Sequence, residues 1–263
     1  MRPRRPIAPG RVLYGLGGLA GLLAVLEVVP RAGLVDERFL PPASAVLGRL
    51  AADLGTADLW IALGETMLGW AVGLALAFCL AVVAGVIIGI VPGLRAATRS
   101  TIEFLRPIPS VALVPLATLL YGPSIGSTLL LVVYAAFWQV LIQVLYGVAA
   151  VDAVADDTAR AYGLSAWSRV RHLVWPSALP YVMTGLRLAA AVAFILAVTA
   201  ELVIGSPGIG AEIQVAQNSG SIDAVYALVV LAGVVGIVVN AAVRLLERRV
   251  LAWHPAVRSE AAR

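Results

Sequence analysis

No lysine occurs anywhere in this chain, although it carries 19 basic residues, all of them arginine. That absence removes two large classes of chemistry. A P-loop nucleotide site needs the lysine of its GxxxxGK[ST] run, and Schiff-base catalysis needs a lysine amine. Charge of either sign is scarce, at 13% of residues, against about 25% in soluble domains. The single cysteine, Cys79, sits within an apolar run, so no intrachain disulfide can form, and a small buried residue is expected there. The two histidines, His172 and His254, are far apart, and no Cys/His/Asp cluster has metal-ligand spacing. No GxSxG occurs and no carboxylate pair falls within the apolar spans. Catalytic readings therefore fail, and a chain with no enzymatic centre and no bound metal or cofactor is expected.

What the chain has in abundance is apolar surface: 61% of its residues are hydrophobic and its mean hydropathy is +0.95. Its 263 residues suit one integral membrane domain, all-α, with no room for a large soluble one. A bilayer core about 30 Å thick needs roughly 20 apolar residues per helix. Six spans are expected, at about 12–30, 66–91, 108–121, 127–149, 184–204 and 224–243. The third is short and proline-flanked (Pro107, Pro109, with Pro115 inside), which predicts a kinked or tilted helix. The first follows an arginine-rich tail, yet the run from Val12 to Pro30 is too long for a signal-peptide core and lacks a small-x-small cleavage site. A retained helix is expected.

Arginine placement sets the orientation. Arg2, Arg4, Arg5 and Arg11 precede the first span, and Arg95, Arg99 and Arg106 follow the second. Arg160, Arg169 and Arg171 follow the fourth, and Arg244, Arg248 and Arg249 the sixth. The opposite side holds only Arg31, Arg38 and Arg49. Both termini are expected in the cytoplasm of a bacterial inner membrane. Topology and anionic inner-leaflet lipid account for the net charge of +4, so nucleic acid is not needed as a partner.

One polar interval stands out, DTARAYGLSAWSRVRHLVWP at 157–176, inside the 34-residue connection 150–183. Good helix formers run from Val151 to Tyr162, with acids early (Asp152, Asp156, Asp157) and Arg160 late, as the helix dipole favours. Gly163 is placed to end that helix at positive φ. A second short helix is expected from Ser165 to Trp175, broken by Pro176 and Pro180 before the membrane. A plain solvated connection explains the charges but not this capping logic. Docking of a cytoplasmic partner explains both.

The interval resembles the cytoplasmic motif of binding-protein-dependent ABC importer permeases, E-A-A, three residues, G, nine residues, I-x-L-P. Here Asp157, Thr158 and Ala159 are followed after three residues by Gly163 and, nine residues later, by Leu173, Val174, Trp175 and Pro176. Four further segments resemble the sulfonate, taurine and nitrate permeases: LPPASAVLGRL (40–50), FLRPIPSVALVPL (104–116), WPSALPYVMTGLRLA (175–189) and AELVIGSPGIG (200–210). The departures are Asp157 and Thr158 for Glu and Ala, Trp175 before the proline, Gly69 where arginine is frequent, and Pro207 within a Ser-Ser-Gly-Leu-Gly run.

This resemblance implies a type I importer bundle in which two copies of the chain form the pore. Two cytoplasmic ATPase subunits would hold ATP and magnesium, and an extracytoplasmic binding protein would deliver the solute. Asp157, Ala159, Arg160, Tyr162, Gly163, Leu164, Ser165 and Arg169 would form the coupling helix, with Arg160, Arg169 and Arg171 available to ATPase carboxylates. A small sulfonate or oxyanion is the implied cargo, with vitamin or pyrimidine precursors as the alternative. A stand-alone secondary transporter or channel is the competing class, but neither paired intramembrane charges nor an inverted repeat supports it.

Several isolated residues carry two readings. Glu201, near the outer end of the fifth span, is either a gate residue or a hydrogen-bond hub. Pro207, Gly208 and Gly210, within 206–214, belong either to an outer gate or to a plain turn. Gln139 and Gln143, at i and i+4, either face the pathway or join two helices. Glu27 is expected to reach interfacial water, and Arg187 to snorkel. The pairs Gly69/Gly73 and Gly85/Gly89 suit close helix packing.

Overall fold

A backbone in lipid must satisfy its own hydrogen bonds, and this chain does so with helices alone among the described residues. The computed structural model describes residues 9–253, so Arg2, Arg4, Arg5 and His254 lie outside the described residues. Three helices are long and apolar enough to cross a bilayer as single elements: α3 (Ala57–Ile90), α6 (Ile125–Ala149) and α11 (Ile222–Val250). A fourth span lies within Ala166–Asn218, whose long element is α9 (Trp175–Ile204). A fifth exists if α4 (Pro92–Leu105) and Ser110–Tyr121, which ends in α5 (Val114–Tyr121), are counted as one broken span bent by 82°. The first expected span coincides with α1 (Pro9–Arg31).

The bend falls where the sequence reads Arg106-Pro107-Ile108-Pro109. Proline cannot donate, so the helix stops, and the Tyr134 hydroxyl donates to the freed Leu105 carbonyl at 2.7 Å. Pro115 stands in the first turn of α5, where a missing N–H costs nothing. The third expected span is therefore one arm of a broken pair, and residues 92–105 are helix rather than loop. The second span also begins earlier than expected, at Ala57, because α3 runs through Asp58 and Glu65 without interruption.

Close packing is concentrated on α6. Added Cβ atoms at Gly69, Gly73, Gly85 and Gly89 of α3 would meet Thr128, Val132, Val144 and Val148 of α6, in the same order along both helices. The two helices therefore run parallel, with Ala77 and Ala81 fully buried between the glycine pairs. On its other side α6 meets α9 running the opposite way, for Gly147 touches Ala178 and Gly185 touches Val140 and Gln143. Small residues let backbones approach where lipid supplies no hydrophobic drive between helices. Cys79 does not join this seam. It is exposed on α3 in the single chain, so the expectation of burial fails there.

Three expectations about charged and proline residues also fail, the prolines for a local reason and the two charges for partners farther along the chain. Pro176 and Pro180 do not break the helix: Val170–Val174 forms a wide π turn, and α9 continues through both prolines. Such π turns are among the adjustments by which membrane helices accommodate proline, and Thr184 Oγ1 adds an ordinary i, i−4 bond to Pro180 O at 3.0 Å. Arg187 does not simply snorkel, since it pairs with Glu247 at 3.3 Å and ties α9 to α11. Glu27 does not reach only water. It accepts from the Ser44 N–H (2.8 Å) and hydroxyl (2.9 Å), capping α2 (Ala43–Asp53), whose own N-cap is Pro42.

The glycine seam yields a prediction with opposite signs. Gly85→Leu drives a branched side chain into Val144 and is expected to cost about 1–3 kcal/mol. Gly64→Ala meets nothing within 4 Å and is expected to stabilise α3 by roughly 0.5–1 kcal/mol. Thermal midpoints of the detergent-solubilised protein, followed by size-exclusion fluorescence, should therefore move in opposite directions.

Candidate functional site

The polar interval forms a locked elbow. Asp152 caps α7 (Ala153–Ala161), its carboxylate accepting from Val154 N at 2.9 Å. At the other end Leu164 N donates to Ala159 O (3.0 Å) and Gly163 N to Arg160 O (2.9 Å). This is the paired closing pattern of a glycine-terminated helix, and Gly163 supplies the required φ of +72°. Ser165 then caps the next turn, α8 (Ala166–Arg169), accepting from Ser168 N at 3.2 Å.

Asp156 holds the two arms together. Arg160, one turn on, donates to Oδ2 from Nε (3.0 Å) and Nη2 (2.9 Å). Arg169, across the elbow, donates from Nε to Oδ1 (2.9 Å) and from Nη2 to Oδ2 (3.2 Å). The Arg160 contact, with Arg169 beside it, holds the Asp156 carboxyl below its ordinary range. Arg160 and Arg169 are thus engaged within the chain, and Arg171 is the exposed arginine of the elbow that remains available to an outside acid. His172 is bonded back to Ser168, its Nδ1 lying 2.9 Å from the carbonyl.

With Arg160 and Arg169 paired to Asp156, the elbow also presents large apolar side chains outward. Tyr162 is 82% exposed and Trp167 73%, and Leu164 stands between them. Asp157 and Ser165 are also exposed, and Ala159 is half-buried on the inner side. Two residues were not assigned to the site from the sequence, where Asp156 figured only as an early acid of the helix. Asp156 differs from Asp157 only in helical phase, and Trp167 carried no motif signal.

A second constellation lies at the opposite end of the bundle. α9 ends at Ile204, and residues 205–208 turn the chain into α10 (Ile209–Asn218). Glu201, only 1% exposed, accepts on Oε2 from Thr66 Oγ1 (2.8 Å) and from Gly210 N (3.0 Å). Thr66 Oγ1 accepts in turn from Ile209 N at 2.9 Å. Carboxylate and hydroxyl together cap the N-terminus of α10, where the helix dipole favours negative charge. Gly208, at φ +148°, leaves room for the Glu201 carboxylate, and a Cβ there would fall inside it. Gly210 lets α10 lie directly on the Val198 carbonyl, and Pro207 is exposed at the turn. Ser206, fully buried, bonds Thr128 at 2.9 Å.

Glu201, Gly208 and Gly210 are therefore brought together, with Thr66 as the partner that sequence reasoning did not name. Gln139 and Gln143 are not part of the group. Gln143 packs on Gly185, sixteen residues before Glu201 on α9, which is about 24 Å along a helix. Both glutamines are half-buried, and no hydrogen bond joins either amide to another side chain among the described residues.

Two outcomes follow. Asp156 has a depressed pKa in the folded state, so its contribution is present above the unfolded value near ~3.9 and is lost as pH falls through the folded value. Amide exchange at 163–170, corrected for intrinsic rate, should stay slow from pH 7 to about 4 and quicken in stronger acid, whereas Asp156→Asn should be fast throughout. Thr66→Ala leaves the buried carboxylate short of a donor and should cost about 1–3 kcal/mol, read as a lower thermal midpoint.

Comparison with known proteins accords with this architecture. Residues 80–252 match the model of the family described as binding-protein-dependent transport system inner membrane component. The taurine transport system permease protein TauC of Escherichia coli is 30% identical over 93% of this chain and 90% of its own length. The aliphatic sulfonates transport permease SsuC of Bacillus subtilis, a putative assignment in its own name, is 32% identical over 94% of this chain and 91% of its length. An inward-facing structure of the MetNI methionine ABC transporter shares the fold with a TM-score of 0.61 at 18% identity, over 73% of this chain and 96% of that one. The chain thus belongs to the binding-protein-dependent permeases of ABC importers, non-catalytic membrane subunits, in the branch that holds the taurine and sulfonate permeases.

Proposed function

We propose that this chain is the translocating subunit of an ATP-driven importer for a small sulfonate or related oxyanion, and that the elbow 153–169 is its coupling helix. The supporting observation is the elbow itself. It is rigid where a lever must be rigid and apolar where a partner must grip. Exposed tryptophan and tyrosine are the residues that most often anchor interfaces, and Trp167 and Tyr162 occupy both arms.

In this reading all 263 residues form one permease domain with six spans, both termini face the cytoplasm, and two copies pair around the pathway. ATP and magnesium reside on a separate ATPase dimer, consistent with a chain that has no lysine for a P-loop. Closure of the ATPases draws the two elbows together, and the bundles change access as near-rigid bodies. Shape dominates the docking energy, since an exposed ion pair at Arg171 contributes only about 0–1 kcal/mol.

The cargo is inferred from relatives named for taurine and aliphatic sulfonates; selection is assigned to an extracytoplasmic binding protein. The outer turn, with Glu201, Pro207, Gly208 and Gly210, is proposed as a gate element, its fixed geometry provided by the cap on α10. Gln139 and Gln143 are proposed to line the pathway.

Trp167→Ala and Gly163→Val separate this reading from a stand-alone carrier. Both variants should insert normally in the membrane yet lose co-purification with the ATPase and reduce uptake at least tenfold, on the order expected when a central anchor contributing ~2 kcal/mol is removed. Uptake unchanged in both, or transport down a gradient by the purified permease alone, overturns the proposal.

A further inference from the structure

At the elbow end of the bundle α4 leaves a pocket that the transport reading does not use. Its volume is about 710 Å³, and its rim carries Arg95, Arg99 and Arg106 together with one acid, Glu103. Arg99 is paired with Glu103 at 2.9 Å. Arg95 and Arg106 have no acidic partner among the described residues. Behind the rim the wall is apolar, formed by Ile88 of α3 and by Ile142, Leu145 and Tyr146 of α6. None of the residues of α4 is buried within the protomer.

This arrangement has a graded chemistry. Guanidinium groups of α4 stand beside the apolar side chains that α3 and α6 contribute to the same pocket. Arginine recognises phosphate through paired N–H donors, and basic pockets between transmembrane helices suit acidic headgroups. A free inorganic anion would leave the aliphatic wall uncovered. An isologous contact between two copies through this face would set arginine against arginine.

We propose that this pocket is a binding site for one anionic phospholipid, its phosphate held by Arg95 and Arg106 and an acyl chain laid along Ile88, Ile142, Leu145 and Tyr146. The lipid acts as a structural wedge that supports α4 beside the 82° bend, where the protomer leaves every α4 residue at least partly exposed. The inference needs only that this end lies at a bilayer surface. It is independent of the direction of transport and of the solute.

The full-length chain, purified in mild detergent, can be titrated with dioleoyl-phosphatidylglycerol or dioleoyl-phosphatidylcholine and examined by native mass spectrometry. One phosphatidylglycerol should be retained in preference to phosphatidylcholine. Arg95→Gln with Arg106→Gln should weaken that retention about 25-fold, at roughly fivefold per arginine near an anionic headgroup, and leave phosphatidylcholine unchanged. Arg95→Lys with Arg106→Lys should keep most of it. Equal retention of both lipids overturns the proposal, as does indifference to the glutamine substitutions. So does full displacement by millimolar butanesulfonate, which would mark a small-anion site instead. Should the glutamine variant aggregate, the wild-type thermal midpoint decides: a rise with phosphatidylglycerol alone supports the site, and an equal response to both lipids overturns it.

Discussion

Everything in this protein hangs on how closely α3 and α9 can approach α6. Lipid tails are as apolar as leucine, so burying a leucine against another helix gains little in a bilayer. Contact quality has to supply the attraction, and dispersion falls steeply with any gap. A row of glycine and alanine on α3 meets valine knobs of α6, and α6 meets small residues of α9 on its far side. The central helix is held by backbone-distance packing on two faces. The broken arm α4–α5, the elbow and the outer turn are all attached to this three-helix frame.

Polar side chains serve a second purpose, which is to finish short helices that begin where no local cap exists. The N-terminus of α2 follows prolines and receives the Glu27 carboxylate from α1. That of α10 follows a glycine and receives Glu201 from α9 and Thr66 from α3. In both cases one carboxylate satisfies amides and fixes the angle between two helices. The acid is thereby placed by the fold as much as it places it.

Much of this was legible from spacing. The four seam glycines of α3, Gly69/Gly73 and Gly85/Gly89, are spaced four residues apart within each pair, Gly163 sits where the helix-forming run ends, and the prolines at 107 and 109 mark the bend. What escaped reading depended on partners far along the chain or on helical phase. Asp156 and Asp157 are indistinguishable until Arg169 is seen folding back onto one of them. Arg187 finds Glu247 sixty residues away. Cys79 sits in the same apolar run as buried alanines but on the wrong side of the helix. Pro176 and Pro180 read as breakers by propensity, yet a helix entering a membrane loses more by stopping than by widening one turn.

That widened turn has a mechanical corollary. α8, the π turn and α9 follow one another without a loop from Ala166 to Ile204, and α9 alone has 30 residues, a length of about 45 Å. Its near end is clasped to Asp156 through Arg169, and its far end carries Glu201. The π turn at 170–174 is the one departure from α geometry along this stretch. Trp167 and the cap of α10 are thereby joined by one continuous helical backbone, so the pitch of that turn sets the rotation of one about the axis relative to the other.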